Sequence, residues 1–338
     1  MVQNIKWIFM LIFMKESDTV IAIIIILSVL LIALMYCVVF GFIAFDRSFT
    51  RKVYEGDQIE AAAKKVGTRP YHEYFRRGIY WFKDFKGKEE VWIKSKDGLN
   101  LKGYYLENEK SSGQVMILCH GYRSFPYFDF SASAKFYYEE GFDLLFIVQR
   151  THGESEGKYI TFGLNERYDL VEWIKYVDNR HTGNAKILLA GVSMGASTVM
   201  YALGLDLPES VKGAVCDCGF DTPKHVIGFA LTDVFKSKLL ASFMSNFVSL
   251  VAHFKIGSFL GKVNTAKSLQ HNKLPVMFAH GEADDVVPFE MFEKNTSTGN
   301  FEKILVTSKD AAHGLVFYYE NDKYVKAFRK LREVSGID

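Results

Sequence analysis

One stretch of this chain combines residue types in an order that could do chemistry: Gly191-Val192-Ser193-Met194-Gly195. An apolar run at 186–190 reads as a strand before it, and 196–202 reads as a helix after it. A serine in so sharp a strand-to-helix turn occupies a sparsely allowed backbone conformation and projects its hydroxyl outward. The residues two before and two after must be small where strand and helix cross, and Gly191 and Gly195 meet that need. The new helix also points its first amides at whatever the hydroxyl attacks, which suits an oxyanion. A hydroxyl is a poor nucleophile at neutral pH and needs a base that is itself oriented by a carboxylate. Both occur downstream, acid first. The acid lies in His280-Gly281-Glu282-Ala283-Asp284-Asp285-Val286-Val287-Pro288, and the base in Ala311-Ala312-His313-Gly314. Asp284 and Asp285 are adjacent rivals for the acid, and Asp217 and Asp221 lie after the strand that follows the serine.

The elements that must position these residues are legible as alternation. Apolar runs at 114–119, 143–148, 186–190, 213–216, 275–279 and 303–306 are separated by helical stretches. Short unbroken apolar strands between helices predict a mostly parallel, doubly wound α/β sheet covered on both faces. Ahead of them, 91–95 and 101–106 flank Lys96-Asp97-Gly98, a hairpin signal. Each site residue then falls at the end of a predicted strand, where loops gather. Between 221 and 272 the alternation breaks into a long stretch rich in Phe, Leu and Val. It reads as a helical insertion over the strand ends, a lid, with additional core helix as the other reading. Phe229, Leu231, Phe243 and Phe247 would then face an acyl chain or a bilayer.

Taken together, these motifs resemble the α/β-hydrolase superfamily, in particular its monoacylglycerol lipase and serine aminopeptidase-like branch. Gly281-x-x-Asp284-x-x-Val287-Pro288 matches that branch by position, so the resemblance assigns the acid to Asp284, with Ser193 as nucleophile and His313 as base. The early strand ends in His120-Gly121-Tyr122, and the resemblance implies an oxyanion hole from the amides of Tyr122 and Met194, with His120 shaping the turn. Arg150-Thr151-His152-Gly153-Glu154-Ser155 resembles the branch's Arg-Gly-x-Gly-x-Ser loop, with Thr151 in place of the first glycine. The expectation is a serine hydrolase acting on carboxylic esters through an acyl-enzyme. A peptidase or amidase stands as the second enzymatic reading, and a non-catalytic membrane binding protein as the reading from another class.

Composition narrows the partners. Lys and Arg total 41 against 39 Asp and Glu, a net charge of +2, and no basic stripe favours nucleic acid. Four cysteines are too few for a disulfide scaffold, and Cys216-Asp217-Cys218 lacks a second pair at zinc spacing. No histidine or carboxylate cluster predicts a metal, and no glycine-rich phosphate loop follows the first strand, so neither metal nor cofactor is expected.

Residues 20–45 carry no charge, about 26 residues against the roughly 20 that cross a bilayer as a helix. The sequence therefore divides into a short N-terminal segment (1–19), a transmembrane helix (20–45), an amphipathic aromatic-basic linker (46–88) and the α/β domain (89–338). That linker pattern suits a membrane surface and packing on the domain equally. A single-pass membrane protein follows, with a small ester or lipid as substrate. Arg47, Arg51, Lys52, Lys64 and Lys65 outnumber Lys6 and Lys15, which by a small margin favours a cytoplasmic domain. The similar bacterial cell-surface hydrolases imply the opposite side, so orientation stays open.

Overall fold

The computed structural model describes residues 2–52, 60, 70–110 and 112–337. Eight strands form one sheet: β1 (Glu89–Lys94), β2 (Asn100–Leu106), β3 (Gln114–Cys119), β4 (Asp143–Ile147), β5 (Lys186–Val192), β6 (Val211–Asp217), β7 (Val276–Gly281) and β8 (Lys303–Ser308). Their order is β1-β2-β4-β3-β5-β6-β7-β8. The hairpin β1-β2 and its junction with β4 are antiparallel, and every later pairing is parallel. Gly98 turns the hairpin with φ of +87°, a conformation glycine adopts at no steric cost. All six residues of β3 and all five of β4 are buried, which is why these strands read as unbroken apolar runs.

Among the described residues, eight longer helices accompany the sheet: α1 (Val2–Phe49), α2 (Pro70–Asp84), α3 (Glu166–Arg180), α4 (Met194–Ala202), α5 (Pro223–Phe235), α6 (Lys238–Ile256), α7 (Phe289–Thr296) and α8 (Asn321–Val334). Side chains of β3 alternate between two cores. Met116 and Leu118 join Phe75, Ile79 and Phe82 of α2 and Phe328 of α8. Val115 and Ile117 join Trp173 of α3 and Val199 of α4 on the other face. A doubly wound, mostly parallel sheet is therefore what the chain forms.

Three stretches outside the sheet take the following form. Helix α1 is continuous for 48 residues, running through Lys15-Glu16-Ser17-Asp18, where a short segment was expected to end. The linker is no separate layer at its C-terminal end. Phe75, Ile79 and Phe82 are buried in the main core, and a Cβ on Gly78 would lie 1.7 Å from the Ser131 carbonyl oxygen, so α2 presses on the domain backbone to backbone. The linker residues 53–59 and 61–69 lie outside the described residues. Third, α5 and α6 of the insertion pack against each other and against the end of α1. Phe229 and Leu231 pack against a third core that holds Phe45, Phe49 and Val248, whereas Phe243 is 52 % exposed.

Candidate active site

Ser193 sits between β5 and α4 with φ of +56° and ψ of −120°. A non-glycine residue in such a region is strained and persists only where its surroundings enforce it. The enforcement is visible on both sides. A Cβ on Gly191 would lie 2.3 Å from the Gly195 oxygen, and one on Gly195 would lie 1.9 Å from the Cys119 oxygen. Both positions therefore admit glycine alone. The Ser193 amide donates to the Asp217 carbonyl at 2.8 Å, tying the turn to β6. Met194 opens α4, whose first amides have no acceptor within the helix.

Asp284 follows β7 and is buried, whereas Asp285 beside it is exposed. Its Oδ1 accepts from the amides of Val286 and Val287, each at 2.9 Å. Its Oδ2 lies 2.7 Å from His313 Nδ1 and 3.3 Å from His280 Nε2. Burial alone would raise this carboxyl, but the hydrogen bonds from His280 and His313 outweigh it and hold the group well below the usual carboxylate range. The same contact works on His313. Burial disfavours its charged form, but the hydrogen bond and charge of Asp284 outweigh burial and raise the imidazole above the usual histidine value. The pair is thus an ionised carboxylate holding an imidazole by Nδ1, with Nε2 left for a proton transfer.

Ser193 and His313 line one cavity of about 400 Å³ with Gly121, Tyr122, Arg123 and Asp129. Gly121 lets its turn abut the serine, since a Cβ there would lie 3.2 Å from the Ser193 Cβ. The turn is braced from below. Asp129 accepts from the Gly121 amide at 2.5 Å and from Ser124 Oγ at 2.6 Å. The Arg123 amide, at φ of +53°, donates to His152 Nε2 at 3.0 Å. His152 Nδ1 therefore carries the proton and donates to the Arg150 carbonyl at 2.9 Å. His120 is fixed in the same way: Nε2 accepts from the Gln149 amide at 3.0 Å, and Nδ1 donates to the Gly121 carbonyl at 2.8 Å. Burial keeps both rings below the usual histidine value. They are neutral struts, and neither reaches the cavity as a base.

Neither rival acid hydrogen-bonds His313 among the described residues. Asp221 accepts from His225 Nδ1 at 2.8 Å. Asp217 is buried at the end of β6, and its Oδ1 has no hydrogen-bond partner among the described residues. Burial pushes its carboxyl up to about 7, against the pull of His280 and His313. Sequence reasoning gave no role to His280, Asp129 or His152. Their signal was faint: residue type does not mark them out, and each acts through hydrogen bonds that only the folded chain assembles.

The sequence pattern of the alpha/beta hydrolase fold matches residues 114–329. The chain belongs to that family. It is similar over 256 residues to the Bacillus subtilis protein YqkD, at 23 % identity, covering 74 % of this chain and 81 % of YqkD. It is also similar to the Saccharomyces cerevisiae membrane protein YNL320W, at 25 % identity over 200 residues, covering 59 % of this chain and 64 % of the yeast protein. Among solved structures, the Pyrococcus furiosus esterase Pf2001 superposes with a TM-score of 0.58 and 23 % identity, over 74 % of this chain and 92 % of the esterase, a likeness of fold.

In this α/β hydrolase the wall of the cavity is an unexpected element. Tyr71, His72 and Phe75 of α2 line it, with Phe128 and Leu315, and no residue of α5 or α6 does. The insertion packs with Met194, Phe220 and the end of α1. One group has the spacing of a metal site among the described residues, with ligand atoms of Cys218, Asp284 and His313 within 4.8 Å of one another. Metals bind the thiolate, and burial drives the Cys218 thiol well above its ordinary value. The donor set is therefore the hydrogen-bonded Asp284–His313 pair with a protonated thiol beside it, Sγ lying 3.9 Å from His313 Nε2.

Proposed function

We propose that this hydrolase cleaves carboxylic esters through an acyl-enzyme on Ser193, while anchored to a membrane by α1. The observation that carries the reading is the Asp284–His313 contact of 2.7 Å beside a serine held at φ of +56° in the same cavity. His313 Nε2 takes the Ser193 proton as Oγ attacks the acyl carbonyl. Asp284 keeps Nδ1 protonated and stabilises the imidazolium that forms. The amides of Tyr122 and Met194 receive the developing oxyanion, the kind of preorganised donor pair whose loss costs about 10²–10³ in rate per donor. His313 then gives its proton to the leaving alcohol, and water repeats the sequence to release the acid.

The substrate class is argued from the walls and from depth. Phe75, Phe128 and Leu315 give the cavity an apolar side that fits an acyl chain. Residues 20–36 of α1 are exposed apolar surface, as a lipid-facing helix requires. A Cβ on Gly41 would lie 2.9 Å from the Phe247 carbonyl oxygen, and Phe40 meets Phe235 with ring centroids 5.1 Å apart. Gly41 precedes the apolar end of α1 at Phe45 by four residues, about 6 Å along the axis. Helices α5 and α6 therefore lie at bilayer depth, with Leu239 86 %, Phe243 52 % and Phe254 75 % exposed. They read as a membrane-dipping shoulder that brings the cavity to lipid esters. A panel of p-nitrophenyl esters and aminoacyl anilides, run on wild type and Ser193→Ala, tests the reading. Ester turnover lost in the variant is expected. Turnover of anilides alone would transfer the assignment to a peptidase.

A further inference from the structure

We infer that the last turn of α1 is a working part of the active site, positioning the Tyr122 turn rather than only tethering the enzyme. The inference rests on the proposed role of the Tyr122 amide as an oxyanion donor.

A helix end leaves its last four carbonyls without partners inside the helix. Here three of them are met by the catalytic domain. The Arg47 carbonyl accepts from Arg123 Nη2, the Ser48 carbonyl accepts from the Tyr122 hydroxyl at 2.8 Å, and the Phe49 carbonyl accepts from the Ile160 amide at 2.7 Å. Two of the three donors are side chains of the turn that abuts Ser193. The chain just beyond stays in place: Arg51 bonds through its amide to the Lys158 carbonyl at 3.0 Å and through Nη2 to the Gly153 carbonyl at 2.7 Å.

Packing follows the same route. Helix α1 is exposed over residues 20–36, yet Phe45 is 2 % and Phe49 0 % exposed. Phe45 stacks on Phe49 at 4.4 Å, Phe49 meets Phe162 at 4.9 Å, and Phe162 stacks on Tyr122 at 5.0 Å. Rings thus run without a gap from the membrane helix to the residue after Gly121. Asp129 and His152 brace the turn from the domain side, and α1 braces it from the membrane side. A tether would need none of these contacts.

The amide of Tyr122 is therefore set by both supports, and loosening one should cost rate rather than binding. The test uses the full-length protein in lipid nanodiscs with p-nitrophenyl butyrate. Tyr122→Phe removes only the hydroxyl on the Ser48 carbonyl, and Phe49→Ala breaks the ring path. Both should lower kcat about tenfold with KM within about twofold, since small misplacements at a reacting centre cost orders of magnitude. Phe49→Leu should recover most of the loss. Inhibition by butylboronic acid, whose tetrahedral adduct fills the oxyanion position, should weaken in step with kcat/KM, while inhibition by butyrate should not. A lower Tm with kcat and boronate affinity unchanged would overturn the inference and leave α1 as packing alone. Ser193→Ala separates the two claims. An inactive Ser193→Ala beside a fully active Tyr122→Phe sinks only this inference, and an active Ser193→Ala sinks it together with the hydrolase reading.

Discussion

Asp284→Asn is the substitution whose outcome the structure determines most narrowly. The Val286 and Val287 amides both need an acceptor, so the asparagine oxygen must take the place of Oδ1, where each amide lies at 2.9 Å. The NH2 group then replaces Oδ2, 2.7 Å from His313 Nδ1. There it can only donate, so Nδ1 must accept and the ring proton moves to Nε2. An imidazole in that tautomer cannot take the serine proton, and no carboxylate remains to stabilise its charged form. The comparable change in a known triad lowers kcat about 10⁴-fold, or about 5.5 kcal/mol of transition-state stabilisation. The effect on folding should be far smaller, because the amide bonds that hold the loop survive. His280 loses an acceptor as well. Its Nε2 donates to the Val287 carbonyl at 2.8 Å and would face the new NH2 group at 3.3 Å. The assay is steady-state hydrolysis of p-nitrophenyl butyrate by the full-length protein, with thermal unfolding measured alongside. Asp285→Asn, on an exposed residue, should change kcat less than twofold. A loss under tenfold for Asp284→Asn, or an equal loss for Asp285→Asn, would refute the assignment of acid and base.

Three further outcomes follow. Gly195→Ala should not yield a folded enzyme, because its methyl would lie 1.9 Å from the Cys119 oxygen in the centre of the sheet; wild-type solubility and Tm would contradict the packing. Attack requires neutral His313, and Asp284 raises that ring above its usual value, so kcat/KM should fall about tenfold per pH unit as pH drops through a midpoint above about 6.5; a profile flat to pH 5 would exclude this histidine as base. Replacing Leu239, Phe243 and Phe254 together by serine should lower turnover of long-chain esters in vesicles at least tenfold and leave acetate esters nearly unchanged, because these side chains are exposed and line no part of the cavity; equal losses on both would mean that they hold the fold instead.

How far the sequence carried depends on whether a signal was local. The strands were readable because residues such as Val115 and Met116 are buried on opposite faces of one sheet, which leaves no polar alternation to confuse. The strand-to-helix turn at Ser193 was readable because two steric exclusions force glycine at 191 and 195. The choice between Asp284 and Asp285 could not be read from residue type, since it depends on which carboxylate meets the amides of Val286 and Val287 and the ring of His313. The aromatic-basic face of α2 was ambiguous for a physical reason: Phe75, Ile79 and Phe82 would suit an interface or a core equally, and only the close approach at Gly78 decides. The end of α1 was hidden in the same way. Apolar residues that meet lipid and those that meet a core are alike in a hydropathy pattern, so Phe45 looked like the last of the span and Phe49, past the charges of Asp46 and Arg47, like part of the linker.

The central claim is that Ser193 is a nucleophile activated by His313. The most direct measurement is labelling of the full-length protein with a fluorophosphonate probe, followed by peptide mass spectrometry. The account predicts one phosphonylated residue, Ser193, with labelling abolished in Ser193→Ala and slowed at least about 10³-fold in His313→Ala. Steady ester turnover by a protein that takes no label, or a label on any serine other than 193, would contradict it.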